Sequence, residues 1–156
     1  MREQSGWTNP LLLTWCQYLL DSYTCWTGQT LITREGSLFD QAQRLFDSPF
    51  AVVSHGVQED PVLNYGNSTA LDLWEMDWDR FTQTPSRLTA EPINREERAR
   101  MLLQAKRQGY LSDYRGVRIS STGKRFLVEQ ATIWAIQHPD GTTLGQGATF
   151  SRWRFI

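Results

Sequence analysis

The chain has 156 residues, among them seven Trp, seven Phe and five Tyr, and a mean hydropathy of −0.48, which describes one ordinary domain with an aromatic-rich core under a hydrated surface. Sixteen Lys and Arg against seventeen Asp and Glu leave a formal net charge of −1, so no global field draws the chain onto phosphates or anionic lipid, and neither nucleic acid nor membrane is expected as a partner. The start, MREQSGWTNPLLL, holds an early Glu and a short apolar run, neither a secretory core nor an anchor, and a cytoplasmic location is expected.

Residues 8 to 26 open with Thr8 and Asn9 as possible caps and Pro10 at a first-turn position, followed by Leu12, Trp15, Cys16, Leu19, Tyr23 and Trp26 at helical spacing. Cys16 and Cys25 fall on different sides of this helix, too far apart for a disulfide, and no His stands near them to complete a zinc site. The segment TGQTLITREGS is a connection. Ser37 and Asp40 then suggest a capping box for a second helix that ends near Pro49.

FAVVSH and VLNY, separated by the turn-like GVQEDP, predict a β-hairpin. Asn67 is the expected cap of a short helix carrying Ala70, Leu71 and Trp74 on one face, and Asn94 with Glu97 is the expected cap of a longer helix that stops at Gly109. The last third is strand-like: YLSDYRGVRIS, KRFLVEQATIWAIQ and LGQGATFSRWRF, joined by the turn signals SSTG and HPDG, form an antiparallel meander. Uninterrupted alternation puts Phe126, Val128, Trp134 and Ile136 on one face of the middle strand and Leu127, Ala131, Ile133 and Ala135 on the other. Both faces are apolar, so the sheet is expected to be covered twice, by the central helices and by the N-terminal aromatic helix. A second copy of the chain is expected to share that task, in a homodimer joined through Trp7, Trp15, Leu19, Tyr23 and Trp26.

The strings LFDSPFAVVSHG, NYGNSTALDLWEMDWDRFTQTPSRLTAEP, NREERARMLL, DYRGVRISSTGKRF and GQGATFSRW resemble the MEKHLA domain family over roughly residues 37 to 153. That family is similar to PAS domains, forms the C-terminal region of plant homeodomain and leucine-zipper transcription factors, and stands alone in some bacterial proteins, the kind this sequence resembles. The resemblance implies an α+β fold, a PAS-like five-stranded antiparallel sheet with central helices, over residues 37–156, with residues 1–36 as an N-terminal helical extension and connection. It implies sensing, ligand binding or protein interaction and carries over no catalytic residue. Some PAS-like proteins hold haem through a His on the longest helix or react with flavin through a Cys near the short helices. Here residues 94–109 hold no His and residues 67–90 no Cys, and the residues name no cofactor.

Other chemistry fails on spacing. Gly66-Asn67-Ser68-Thr69-Ala70 approximates a nucleophile elbow but lacks its final glycine, and SSTGK lacks the first glycine of a phosphate loop. Asp72, Glu75, Asp77 and Asp79 do not follow a calcium-loop pattern, and Arg95, Arg98, Arg100, Lys106 and Arg107 are expected on a solvated helix face. What remains is a small-molecule pocket, with His55, Asn64, Trp74, Arg118, Gln130, Trp134 and Gln146 as the candidates to line it. The alternative is a small cone-shaped α+β enzyme of the NTF2-like kind, in which His55 would work with Asp113 or Glu129.

Overall fold

The structure, a computed structural model, describes residues 9–156. Helix α1 (Pro10–Thr27) starts where the Asn9 side chain accepts the Leu11 N–H and ends on the left-handed Gly28. Helix α2 (Leu38–Phe46) carries both halves of the Ser37 and Asp40 capping box. Strands β1 (Ala51–His55) and β2 (Leu63–Gly66) form the expected antiparallel hairpin. Two short helices follow, α3 (Ser68–Trp74) capped by Asn67 and α4 (Trp78–Phe81) capped by Asp77, then a single 3-10 turn over Ser86–Thr89.

Helix α5 (Pro92–Gln108) begins earlier than its sequence suggests. Asn94 lies inside the first turn instead of capping it, because Pro92, whose fixed φ and missing N–H suit the first helical position, starts the helix after Glu91. Gly109 ends it at φ +89, and a Cβ there would sit 2.3 Å from the Trp26 indole. The glycine therefore serves both the turn and the close approach of α1.

Strands β3 (Tyr110–Ile119), β4 (Arg125–Gln137) and β5 (Thr143–Phe150) make the meander, and the sheet order is β2-β1-β5-β4-β3, antiparallel at every pairing. The last segment, expected as one strand, breaks at Ser151, and β6 (Arg152–Phe155) continues along the β5 side of β4, pairing with Phe126 to Glu129.

The break belongs to a local irregularity that also overturns the expected faces of β4. Tyr114 pairs with Ala131 but Gly116 pairs with Val128, so β4 holds one residue more than β3 across this step, and Gln130 sits there at φ 55. An opposite offset follows between Leu111 and Tyr114, where Asp113 has φ 59. An extra residue reverses the alternation beyond it. Phe126 and Val128 thus share the inner face with Ala131 and Ile133, and Trp134 turns to the outer face.

The inner face is covered by α3, α4, α5 and the 3-10 turn, and the outer face by α1. Four hydrogen-bonding contacts fix α1 there: Trp15 Nε1 donates to Ser54 Oγ (3.0 Å), Trp26 Nε1 to the Ala135 carbonyl (3.0 Å), Trp134 Nε1 to the Leu19 carbonyl (3.2 Å), and Ser22 Oγ accepts the Gln137 N–H (2.9 Å). Cys16, Leu19 and Leu20 are fully or almost fully buried beneath it. Among the described residues no helix is long and apolar enough to cross a membrane.

Candidate functional site

Between the inner face and the helices lies a cavity of about 70 Å³. Val128, Ala131 and Ile133 of β4, Ala148 and Phe150 of β5, and Met101 and Leu102 of α5 give it apolar walls. Strand pairing brings in the polar groups: His55 of β1 stands opposite Gln146 of β5, and Arg118 of β3 opposite Phe126 of β4. Arg98 of α5, Ser86 of the 3-10 turn, Trp74 of α3 and Tyr114 of β3 complete the lining. Among the described residues no Asp or Glu is part of that lining.

Two of these polar groups have no protein partner. Of the three buried side-chain polar atoms left without a hydrogen bond among the described residues, two, His55 Nε2 and Trp74 Nε1, belong to residues of the cavity wall. An unsatisfied buried polar atom costs about 1–3 kcal/mol, so the pair marks a place where the fold gives up stability. His55 Nδ1 lies 2.8 Å from the Gly56 carbonyl, which can only accept, so the ring proton sits on Nδ1 and Nε2 presents a lone pair.

Two arginines add charge. Arg98 is 6% exposed and Arg118 is 8% exposed. Arg98 donates to Ser86 Oγ, and Arg118 donates to the Val117 carbonyl and to Tyr114 Oη while lying over the Tyr114 ring. Tyr114 Oη in turn donates to the Glu97 carboxylate at 2.8–2.9 Å. Among the described residues neither arginine has a carboxylate ion pair. Burial and the neighbouring Arg118 bring the Arg98 guanidinium down to about 10, so it stays charged at neutral pH.

Burial also holds His55 below its ordinary 6.5, reinforced by Arg98 and opposed by the Gly56 carbonyl and by the Gln146 amide, which lies near the ring without completing a well-formed hydrogen bond to Nε2. His55 is therefore a neutral acceptor near neutrality. A folded-state value below the unfolded one means that the unfolded chain binds the proton more readily, so stability is complete above about pH 6.5 and declines as the pH falls through it. The urea midpoint should drop from pH 7.5 toward pH 5.5 more steeply in the wild type than in His55→Phe. Equal slopes would show that this imidazole is not held neutral by the fold.

The structure thus gathers four of the sequence candidates, His55, Trp74, Arg118 and Gln146, on one cavity. The other three lie elsewhere. Asn64 is turned to the outer side, where its Oδ1 accepts the Ser54 hydroxyl that also receives Trp15, Gln130 occupies the bulge and lines nothing, and Trp134 is packed under α1 because that bulge reverses its side. Arg98 and Tyr114 were not among the expected lining. For Arg98 the signal was available: it falls on the same helical stripe as Met101, Leu102 and Ala105.

The remaining candidates resolve into structure. Neither Asp113 nor Glu129 reaches the cavity, so the acid/base pair proposed for an enzyme does not assemble; Asp113 is at the β3 bulge and Glu129 faces Arg154 at 3.9 Å. Glu75 accepts hydrogen bonds from Ser120 and Thr122 on the β3–β4 turn, and Asp77 caps α4. Burial pushes the Cys16 thiol up to about 12, which keeps it protonated and unreactive. Of the residues expected at a dimer contact, Trp7 lies outside the described residues. Leu19 is fully buried against the chain's own sheet, and Trp15, Tyr23 and Trp26 are partly buried there.

Comparison with known proteins agrees with this architecture. The family model described as the MEKHLA domain matches residues 13–155. The homeobox-leucine zipper proteins ATHB-14 and ATHB-9 of Arabidopsis thaliana are 24% and 23% identical over 153 and 154 residues, alignments that cover 96% of this chain and 18% of each relative. The chain therefore spans about a fifth of the length of the curated relatives it matches. Among solved structures, the PAS domain of a Colwellia psychrerythraea protein superposes with a TM-score of 0.64 at 16% identity, covering 77% of this chain and 98% of that one. An RNA-binding light-oxygen-voltage receptor gives 0.62 at 16% identity over 77% of this chain and 33% of its own. A light-oxygen-voltage domain studied with a flavin analogue gives 0.59 at 13% identity over 78% and 86%. At such identities the likeness establishes the fold, which is PAS-like.

Proposed function

Since the chain belongs to the MEKHLA domain family and folds like a PAS domain, we propose that it is a sensory module in which a small molecule in the inner cavity biases how α1 packs on the outer face. The observation that carries this reading is the cavity itself: it is walled by three helices and the sheet, and two residues of that wall carry buried polar atoms that the protein does not satisfy. Strand β4 supplies the connection, because Ala131 and Ile133 meet the cavity while Trp134 and the Ala135 carbonyl meet α1. A ligand that shifts β4 acts on α1 within the same strand, provided it binds the two arrangements with different affinity. Two free thiols, one of them exposed, suit a reducing compartment such as the cytoplasm.

A flavin, named for one of the structural neighbours, would meet no thiol here. Both cysteines are on α1, across the sheet from the cavity, so neither is placed to react with such a group.

Ala131→Leu fills part of the cavity and imitates occupancy. Hydrogen exchange of the α1 amides is expected to change by about fivefold or more in this variant, the lower end of ordinary coupling between sites. Native mass spectrometry of freshly purified protein is expected to reveal a small adduct lost on denaturation. Unaltered α1 exchange together with an empty cavity would sink the sensory reading.

A further inference from the structure

The chemistry of the cavity narrows what it holds. Two arginines, both more than nine-tenths buried as residues, border one small space without an ion-paired carboxylate among the described residues. Glu97 compensates Arg118 only through Tyr114 Oη, and Asp60, the carboxylate that influences Arg98, is engaged with the exposed Arg87. Arg98 spends one hydrogen bond on Ser86 Oγ and leaves the remainder of a five-donor fork unused. Like charges held close in a water-poor site call for an anion between them, and a guanidinium fork matches a planar carboxylate best. The other wall of the cavity is apolar, which disfavours an ion hydrated on all sides, and the volume holds roughly five water-sized probes, or a ligand of about five to eight heavy atoms.

We infer that the cavity takes a small carboxylic acid, its carboxylate on Arg98 and Arg118, its apolar body against Val128, Ala131 and Ile133, and a hydroxyl or N–H donated to His55 Nε2. This ligand class rests on the sensory reading given above. His55 Nε2 as a fixed acceptor selects a ligand with a donor group, and Trp74 Nε1 supplies a second donor for the acid's oxygens. A neutral ligand would leave both guanidiniums uncompensated, and a bare inorganic anion would leave the imidazole lone pair and the apolar wall without a match.

The test is calorimetric titration of the full chain at neutral pH with lactate, 2-hydroxybutyrate and 2-hydroxyisovalerate, with their methyl esters, with propionate, butyrate and isovalerate, and with inorganic phosphate. At least one hydroxy acid is expected to bind, with its ester weaker by about 10- to 100-fold, the scale of a charge-assisted hydrogen bond. The acid lacking the hydroxyl should bind about 3- to 10-fold more weakly, and His55→Phe should erase that difference. Arg118→Gln should lose about tenfold or more, with Arg118→Lys in between because it keeps the charge without the fork. If Arg118→Gln does not fold, the comparison of acid with ester on the wild type decides alone.

Esters binding as tightly as acids, phosphate binding where the acids do not, or no acid binding at all would each overturn the assignment. If Ala131→Leu alters α1 exchange while every acid fails, the ligand class falls and the sensory reading stands. If an acid binds while neither it nor Ala131→Leu alters α1 exchange, the ligand class stands and the coupling falls.

Discussion

Replacing Asn67 with Ala is expected to cost about 4 kcal/mol of folding stability, out of the roughly 5–15 kcal/mol that a domain of this kind possesses. Asn67 is fully buried, and its amide is used completely. Oδ1 accepts the N–H groups of Val52 (3.0 Å) and Ala70 (3.1 Å), while Nδ2 donates to the carbonyls of Leu45 (3.2 Å) and Phe50 (2.8 Å). One side chain thereby joins the end of α2, the start of β1 and the first turn of α3. Truncation strands the N–H groups of Val52 and Ala70 and the carbonyl of Phe50, each at about 1–3 kcal/mol before local relaxation, leaves the Leu45 carbonyl only its bond from the Ser48 N–H, and removes the α3 cap. Asn67→Ser keeps a cap oxygen and should recover about 1 kcal/mol, whereas Asn67→Asp keeps the acceptor but loses both donations and buries a charge, so it should be as damaging as Ala. Urea denaturation measures all three. A loss below about 1 kcal/mol for Asn67→Ala would mean that those backbone groups find other partners.

Trp134→Ala should destabilise by about 3–5 kcal/mol, the usual cost of deleting a buried aromatic side chain from a close-packed core. Trp134 has no exposed surface, meets Tyr23 edge to face at 5.0 Å, and donates its indole N–H to the Leu19 carbonyl. Its neighbour across the ladder is Gly147, where a Cβ would lie 2.8 Å from the indole, so the absence of a side chain there makes room for the ring. Trp134→Phe keeps most of the apolar volume and loses the hydrogen bond, for a smaller cost of about 1–2 kcal/mol. The pair also tests which face of the sheet this residue occupies. Because Trp134 packs under α1 and not on the cavity, Trp134→Phe should leave the affinity of any bound acid within about twofold while Arg118→Gln lowers it by about tenfold or more. A comparable loss in both variants would put the indole on the wrong side.

The architecture was legible because its signals are local. Asn9, Ser37, Asn67 and Gly109 announce helix ends by the hydrogen bonds and dihedrals that only such residues supply, and the hairpin and meander follow from β-branched runs between turn residues. The bulge in β4 was not legible. Gln130 adopts a left-handed φ without being Gly, Asn or Asp, and nothing in VEQAT distinguishes a bulged stretch from a straight strand, so Trp134 was assigned to the cavity and Ala131 separated from Val128. Arg98 was missed for another reason: its basic neighbours on α5 suggested a solvated face, although its position one turn before Leu102 placed it inward. His55 and Gln146 stand opposite each other only once β1 and β5, distant in sequence, become adjacent strands.

The manner in which α1 is fastened limits how it can move. Its hydrogen bonds to the sheet are three indole N–H bonds and one serine hydroxyl, spread from Trp15 to Trp26 and each aimed at a single atom on the sheet or helix. Such bonds are directional and are lost within a fraction of a helical turn, so sliding α1 along the sheet would break all of them together. Lifting α1 away would uncover Cys16, Leu19 and Leu20 together. A signal carried by this route would have to overcome the combined strength of that seam.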